Sequence, residues 1–306
     1  MTATAETIPL FPRRRLLGSA SGGSTSIRRG GRADVASSRP YHPGDPLRAI
    51  DWKSSARLSS ARARDEFIVR ERFAEELPTV VLVVDRRPEM ALYDEELPWL
   101  SKPAAMRAAA RILAASAVSQ RALVAYVDDA TWEPPRAQAN VWSTTLEERV
   151  DAYLDGEFAA PENTVQRSLE FLGDVRGSLP IGTFVFVLSD FTAPTPIRAW
   201  AHVVDYGWDV IPVIVQDPVW EQSFPQIDGV LVSLADARGR HTRRVRLDTD
   251  EVAARRAENQ ARLASLRSGF LRLDLDPVLL SDDEEGAVHA TLLAWTQTRV
   301  TAKGRR

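Results

Sequence analysis

From residue 78 onward, short runs of β-branched and aliphatic residues alternate with helical stretches, and this alternation constrains the fold more than any other feature. Four runs are predominantly apolar and predict strands: 79–85, 122–128, 183–190 and 208–215. The first is a continuous β-branched run ending in Asp, as expected of a strand buried in a parallel sheet. The pattern predicts a doubly wound α/β domain with helices on both faces and ligand sites beyond the carboxyl ends of the strands. Residues 229–234 and 241–247 predict a hairpin at the edge of this sheet, and residues 270–275 predict a further short strand.

Two of the predicted strands end in aspartate, which places carboxylates at the expected ligand edge. Asp85 ends the first run, Glu89 follows it, and Asp190 ends the third run. Because hard cations prefer oxygen ligands, these residues raise the hypothesis of a metal-dependent hydrolase with a carboxylate cluster. The structural interpretation is that aspartates at strand ends cap the helices that follow.

Other features argue against an enzyme. No glycine lies between Gly44 and Gly156, so the first strand-to-helix turn is neither a dinucleotide-binding loop nor a P-loop. The chain has no Gly-x-Ser-x-Gly elbow and no cysteine, and its four histidines are far apart in the sequence. We therefore expect a protein that binds rather than catalyses.

The charges almost cancel over the whole chain but not within it. The 39 basic and 42 acidic residues give a net charge of −3, which excludes a dedicated DNA-binding protein. Residues 1–64 carry 12 basic and 4 acidic side chains, whereas residues 65–306 carry 27 and 38. The arginines at 13–15, 28, 29 and 32 are explained either by a solvated arm or by an arm that contacts RNA, anionic lipid or acidic protein.

No apolar run reaches the roughly 18 residues that a membrane helix needs. The N-terminal residues also place their charges after a broken apolar stretch, the reverse of a signal peptide. Together with the absence of cysteine, this predicts a cytoplasmic protein without a membrane span.

The densest motif in the sequence is Arg39-Pro40-Tyr41-His42-Pro43-Gly44-Asp45-Pro46-Leu47-Arg48-Ala49-Ile50-Asp51-Trp52-Lys53-Ser54-Ser55-Ala56-Arg57. Asp45 as N-cap and Pro46 in the first turn predict a helix from Pro46 to about Arg57. Structural roles are favoured for Asp45, Ile50, Asp51 and Trp52, with Ile50 and Trp52 packing the helix on the domain that follows. For Arg39, Arg48 and Arg57, both ion pairing and protein recognition stay open, and Tyr41 belongs to the same candidate surface.

This motif resembles the signature of the bacterial domain-of-unknown-function 58 family. In that family a signature of this kind precedes a strand with Val-Arg-Glu, here Val69-Arg70-Glu71, and then a domain like the von Willebrand factor A domain. The resemblance implies a smaller β-containing segment ahead of the α/β sheet. We accordingly divide the chain into a flexible Arg/Ser/Gly-rich arm (1–23), a motif region (24–77) and a von Willebrand factor A-like domain (78–306).

The resemblance also implies a metal-ion-dependent adhesion site, which uses Asp-x-Ser-x-Ser, a threonine and a second aspartate. Asp85 and Asp190 match the two aspartates, and Thr164 matches the threonine, but Arg87 and Glu89 stand at the serine positions. A guanidinium beside Asp85 competes with Mg²⁺ and can form a bidentate ion pair in its place. We therefore expect a degenerate site that has lost its metal or binds it only weakly, and no other cofactor.

Members of this family resemble partners of MoxR-type AAA+ ATPases. The expected function is a non-enzymatic interaction module, an adaptor or chaperone-like partner of such an ATPase that also contacts a client protein. The face around Asp85, Glu89, Thr164 and Asp190 would meet a partner. The alternatives are a metal-dependent hydrolase using Asp85, Glu89 and Asp190, and RNA binding by the arginine-rich arm.

Overall fold

The structure, a computed structural model, describes residues 6–11, 35–41, 50–62, 66–72, 79–91, 99–128, 132–133, 150–152, 154–235 and 242–303. The chain divides into two compact units. The larger unit consists of Met1–Arg13 and Leu77–Arg306, and the smaller unit consists of Arg14–Glu76.

The smaller unit contains an antiparallel strand pair and one helix. β1 (Val35–Pro40) pairs with β2 (Ile68–Arg72), and α1 (Trp52–Arg62) lies between them in the chain. The predicted N-terminal β-containing segment is therefore confirmed.

Helix α1 begins later than the predicted helix from Pro46 to Arg57. Ile50 is still extended and pairs with Val69, and the carboxylate of Asp51 accepts hydrogen bonds from the backbone N–H (3.2 Å) and hydroxyl (2.5 Å) of Ser54. Asp51 is thus the N-cap of α1, because its oxygens satisfy the first free donors of the helix. The predicted cap, Asp45, lies outside the described residues.

The sheet of the larger unit has five parallel strands and one short antiparallel strand. Its members are β3 (Thr79–Val84), β4 (Leu123–Val127), β5 (Trp132–Glu133), β6 (Phe184–Ser189), β7 (Asp209–Val215) and β10 (Val278–Leu280). The strand order is β10-β7-β6-β3-β4-β5, with only β5 antiparallel to its neighbour. Every side chain of β3, β6 and β7 is buried, which explains the unbroken apolar runs in the sequence.

Helices cover both faces of this sheet. The larger unit contains α2 (Lys102–Ser119), α3 (Thr164–Asp174), α4 (Ile197–Asp205), α5 (Thr249–Arg272) and α6 (Glu285–Lys303). Val80, Leu82 and Val84 of β3 pack with α2 and α6, whereas Val81 and Val83 pack with α3, α4 and α5 on the other face. The predicted doubly wound sheet with helices on both faces is confirmed.

The predicted hairpin at 229–247 forms, but it does not extend the main sheet. β8 (Val230–Ala235) and β9 (Thr242–Leu247) make a separate two-stranded antiparallel sheet, which we call the ribbon. The edge position beside β7 is taken by β10 instead, so the ribbon has no place there. The predicted strand at 270–275 is also wrong, because α5 continues to Arg272 and its Phe270 ring packs on Phe191 and Trp200.

Residues 6–11, which the sequence assigned to a flexible arm, belong to the core of the larger unit. Ile8 and Leu10 are buried there, and the Ile8 N–H donates to the Ser116 hydroxyl at 2.8 Å. Their burial corrects the arm assignment for this segment, and the other domain boundaries stay predictions.

No helix within the described ranges has both the length and the apolar composition that a membrane crossing requires.

Candidate functional site

The guanidinium of Arg87 lies between the two aspartates that end β3 and β6. Its Nε is 2.9 Å and its Nη2 2.7 Å from Oδ2 of Asp85, and Nη2 also donates to Oδ1 of Asp190. The Arg87 side chain is only 2% exposed, and both carboxylates are fully buried. The ion pair expected between Arg87 and Asp85 is therefore present, and it extends to Asp190.

Both carboxylate oxygens of Asp85 accept more than one hydrogen bond. Oδ1 accepts from the Arg87 backbone N–H at 2.9 Å, and Oδ2 accepts from the Ser189 hydroxyl at 2.6 Å in addition to the guanidinium. The Ser189 hydroxyl in turn accepts from the Phe191 N–H at 2.9 Å. Since each bond goes to a residue that ends or follows a strand, the carboxylate fixes the loops after β3 and β6 to each other.

A second buried cation, Lys102, completes the site from the first turn of α2. Its Nζ donates to Oδ2 of Asp190 at 2.9 Å, to Oε1 of Glu221 at 2.6 Å and to the backbone carbonyl of Glu89 at 3.2 Å. Three carboxylates thus share two cations. We call this group the cation network and define it as Asp85, Arg87, Lys102, Asp190 and Glu221.

The sheet topology explains why these residues meet. From β3 the chain goes to β4 on one side, and it later places β6 on the other side of β3. The loops after β3 and β6 therefore diverge at this edge, which is where open α/β sheets bind their ligands. Asp85 and Asp190 lie directly after these two strands.

The charges of Arg87, Lys102 and Asp190 stabilise one another. Burial alone would lower the pKa of Arg87 and of Lys102, but the neighbouring carboxylates outweigh burial and raise both values. Burial alone would raise the pKa of Asp190, but Lys102 and Arg87 hold it at about 2. Both cations and Asp190 are therefore charged at neutral pH.

The residues present do not fit the Mg²⁺ ion that an adhesion site of this type implies. A metal would have to bind between Asp85 and Asp190, where the Arg87 guanidinium already bonds to both. Serine hydroxyls would be neutral ligands, whereas an arginine adds a positive charge that repels the ion. The guanidinium and the two carboxylates therefore form a buried ion pair at the position that the metal would need.

Two of the predicted site residues stay outside the cation network. Thr164 begins α3 and is buried, and its hydroxyl has no hydrogen-bond partner among the described residues. Glu89 lies in the 3₁₀ turn Pro88–Ala91 and contributes its backbone carbonyl, whereas its carboxylate Oε2 likewise lacks a described partner. The described ranges contain no group of three or more His, Asp or Glu side chains placed to hold a metal ion, so the carboxylate cluster of the hydrolase hypothesis is not assembled there.

The loop after β7 covers the network. Glu221 Oε2 accepts from the Asp217 N–H at 2.8 Å, and Asp217 Oδ2 accepts from the Leu100 N–H at 2.7 Å. The Trp220 ring stacks on Trp99 with their centroids 4.4 Å apart. These contacts connect the loops before α2 and after β7, which explains why the network is closed to solvent.

Lys102 and Glu221 were missed by the sequence analysis. One local signal pointed to Lys102: a lysine in the first turn of a helix opposes the helix dipole, which favours anions at that end. Such a lysine indicates a carboxylate nearby, although the sequence does not say which. Glu221 carried no comparable signal.

The family motif is split between buried and exposed positions. Asp51 is buried and caps α1, whereas Arg57 is exposed on the same helix. Arg39 lies in β1, where its backbone pairs with Val69. Asp45 and Arg48 lie outside the described residues.

Trp52 differs from the packing role expected of it, because its side chain is 60% exposed. Its ring meets Phe67, 43% exposed, edge-to-face with the centroids 6.0 Å apart, and the Tyr41 ring also meets Phe67 edge-to-face, at 6.4 Å. We call these three rings the aromatic patch. Exposed neighbouring aromatic rings are typical of protein-binding surfaces.

Comparison with known proteins gives one family match. The model of a family described as "Protein of unknown function DUF58" matches residues 37–266. Among solved structures, the conserved hypothetical protein BatB from Bacteroides thetaiotaomicron aligns with 72% of this chain and 99% of its own, at 11% identity and a TM-score of 0.38. A comparison with curated protein sequences found no match.

Proposed function

The chain belongs to the DUF58 family, and on that premise we propose that it is a non-enzymatic interaction module, an adaptor or chaperone-like partner of a MoxR-type AAA+ ATPase. In this role the ATPase supplies the energy, and this chain presents binding surfaces to the ATPase and to a client protein.

The observation that carries the proposal is the cation network. The carboxylates that a hydrolase would need, Asp85 and Asp190, are buried and neutralised by Arg87 and Lys102. A catalytic carboxylate must reach substrate or a metal, and a carboxylate in a closed ion pair does neither. The network therefore supports a structural role at the position where a metal-dependent domain would bind its ligand.

The aromatic patch supports the interaction part of the proposal. Trp52 is the most exposed of its rings, and α1 carries Lys53 and Arg57, both exposed, with no acidic residue in the helix. Tryptophan, tyrosine and arginine are the residue types that contribute most to binding energy at protein interfaces.

Affinity purification from the native cell tests the proposal. We expect a tagged chain to enrich an AAA+ ATPase when ATP hydrolysis is blocked, and a Trp52→Ala variant to enrich less of it. Phe11→Ala is the matched control, since Phe11 is an exposed aromatic residue of the other unit. Failure of the wild-type chain to enrich any AAA+ ATPase under ATP-trapping conditions would contradict the proposal.

Magnesium should leave the stability of the chain unchanged. Arg87 already bonds to both aspartates, so a divalent ion gains no ligand there without breaking a buried ion pair. The measurement is thermal unfolding with and without millimolar Mg²⁺. A saturable rise in Tm would show that a metal binds and that the ion pair gives way to it.

A further inference from the structure

The ribbon carries three arginines on one strand. Arg243, Arg244 and Arg246 of β9 are all exposed, and none of them forms an ion pair with a carboxylate in the described ranges. The larger unit is acidic as a whole, since residues 1–13 and 77–306 carry 34 acidic and 26 basic side chains. The ribbon is therefore a local basic surface on an acidic unit.

The two faces of the ribbon differ in chemistry. Arg246 lies opposite Leu231 and Arg244 opposite Ser233, so these four side chains share one face, which we call the basic face. All four are exposed, Leu231 at 64%. The other face carries Val232 and Val245, which are half-buried, and Leu247, which is buried.

The ribbon also has unpaired edges. β8 and β9 pair with each other, and neither pairs with another described strand. A sheet of two strands is marginally stable by itself, and a third strand along an edge adds main-chain hydrogen bonds. Arginines along an edge also discourage pairing with a neutral strand, so the added strand has to carry opposite charge.

We propose that the edge of β9 binds an extended segment of a partner protein in which acidic and apolar residues alternate. Side chains alternate between faces along a strand, so every second residue of such a segment lies beside Arg244 and Arg246. The carboxylates of the segment then pair with the two guanidinium groups. Its intervening apolar residues extend the opposite face of the ribbon, which carries Val232, Val245 and Leu247. This inference rests on the proposed function, because it assigns the interaction module one recognition surface and the chemistry of its partner.

Binding of a synthetic peptide to the purified full chain tests this surface. The probe is a fluorescent peptide in which glutamate alternates with valine, and the comparison peptide has the same composition with its glutamates in one block. We expect the alternating peptide to bind more tightly. The double variant Arg244→Glu/Arg246→Glu should weaken its binding by roughly 10-fold or more.

Arg243→Glu is the matched control, because Arg243 lies on the same strand but on the opposite face. Its effect should be well below that of the double variant. All three positions are exposed, and unchanged thermal unfolding of the variants would show that the fold is intact.

Four results would overturn the inference: no binding of the alternating peptide, equal binding of the block peptide, an equal loss in Arg243→Glu, or tighter binding of anionic vesicles or single-stranded RNA through the same arginines. A change of oligomeric state in the double variant would instead identify a second copy as the occupant, which also overturns it. The experiment uses no ATPase, so its failure is distinct from failure of the proposed function.

Discussion

Arg87 lies between the two aspartates that follow β3 and β6, and this one residue sets the chemistry of the strand edge. Its guanidinium pairs with both buried carboxylates. The network then depends on each of its members, because a buried charge that loses its partner keeps the full cost of its desolvation.

Lys102→Met should destabilise the chain by about 3 kcal/mol, because it leaves Asp190 and Glu221 without their shared cation in a buried site. Urea unfolding of the wild type and the variant measures this difference. Arg107→Met is the control, since Arg107 pairs with Asp151 and Asp155 nearer the surface, where such pairs contribute less than about 1 kcal/mol. Equal losses in the two variants would contradict the prediction.

The stability of the chain should fall in acid because of Asp190. Its pKa is about 2 in the folded chain, below the ordinary value of 3.8, so the folded state favours the charged carboxylate. This contribution is present above pH 4 and is lost as the pH falls through about 2; it amounts to about 2 kcal/mol. Unfolding free energies of the wild type and Asp190→Asn as a function of pH measure it, and parallel pH profiles would contradict the assignment.

At the scale of elements, loops hold the strand ends in place through buried side chains. Arg86, just after β3, has its Nε 2.8 Å from Asp128 Oδ2, just after β4, and its Nη2 donates to the Tyr126 hydroxyl at 3.1 Å. The segment before α3 packs on the same arginine, and the Ala160 N–H donates to its backbone carbonyl at 3.0 Å. This second arginine ties β3 to β4 as Arg87 ties β3 to β6.

Gly156→Ala should disrupt this contact, because a Cβ at position 156 would lie 2.3 Å from Nη1 of Arg86. Overpacking of a buried site costs about 1–3 kcal/mol. Gly177→Ala offers the matched control, since a Cβ there meets no atom within 4 Å. The comparison uses chemical denaturation midpoints, and a Gly156→Ala variant as stable as Gly177→Ala would show that Arg86 moves aside without cost.

At the scale of the whole molecule, the core of the larger unit is closed by residues from both ends of the described chain. Segment 6–11 lies against α2 and α6: Gln120 Nε2 donates to the Ile8 carbonyl at 3.2 Å, and His289 Nδ1 is 3.0 Å from Glu6 Oε2. The stability of this unit therefore depends on residues that precede the motif region.

Ile8→Ala should cost about 3 kcal/mol, because it leaves a cavity beside α2 where Ile8 is buried. Phe11→Ala removes a larger side chain three residues away, but Phe11 is exposed, so its loss should stay below about 1 kcal/mol. Thermal and urea unfolding of both variants measure the two losses of stability. A larger loss for Phe11→Ala would show that Phe11, rather than Ile8, is the buried anchor of this segment.

The sequence by itself determined the layers of this protein and the edge at which its site lies. Buried strands of 6 or 7 residues, such as β3 and β7, are recognisable because burial on both faces leaves an unbroken apolar run. Asp85 and Asp190 were found because each directly follows such a strand. The family motif was equally visible, since it is continuous in the chain.

Only the tertiary structure decided which charges meet. Lys102 is 88 residues from Asp190 and 119 from Glu221, and nothing in local periodicity records such a pairing. The sequence-based predictions misplaced the ribbon and segment 6–11 for the same reason. The ribbon does not join the main sheet because β10 pairs with β7 at that edge. Segment 6–11 is not a free arm because α2 and α6 offer an apolar surface to Ile8. Helices and strands follow from the properties of neighbouring residues. The buried ion network instead depends on which strands lie side by side in the sheet, because that arrangement brings distant residues together.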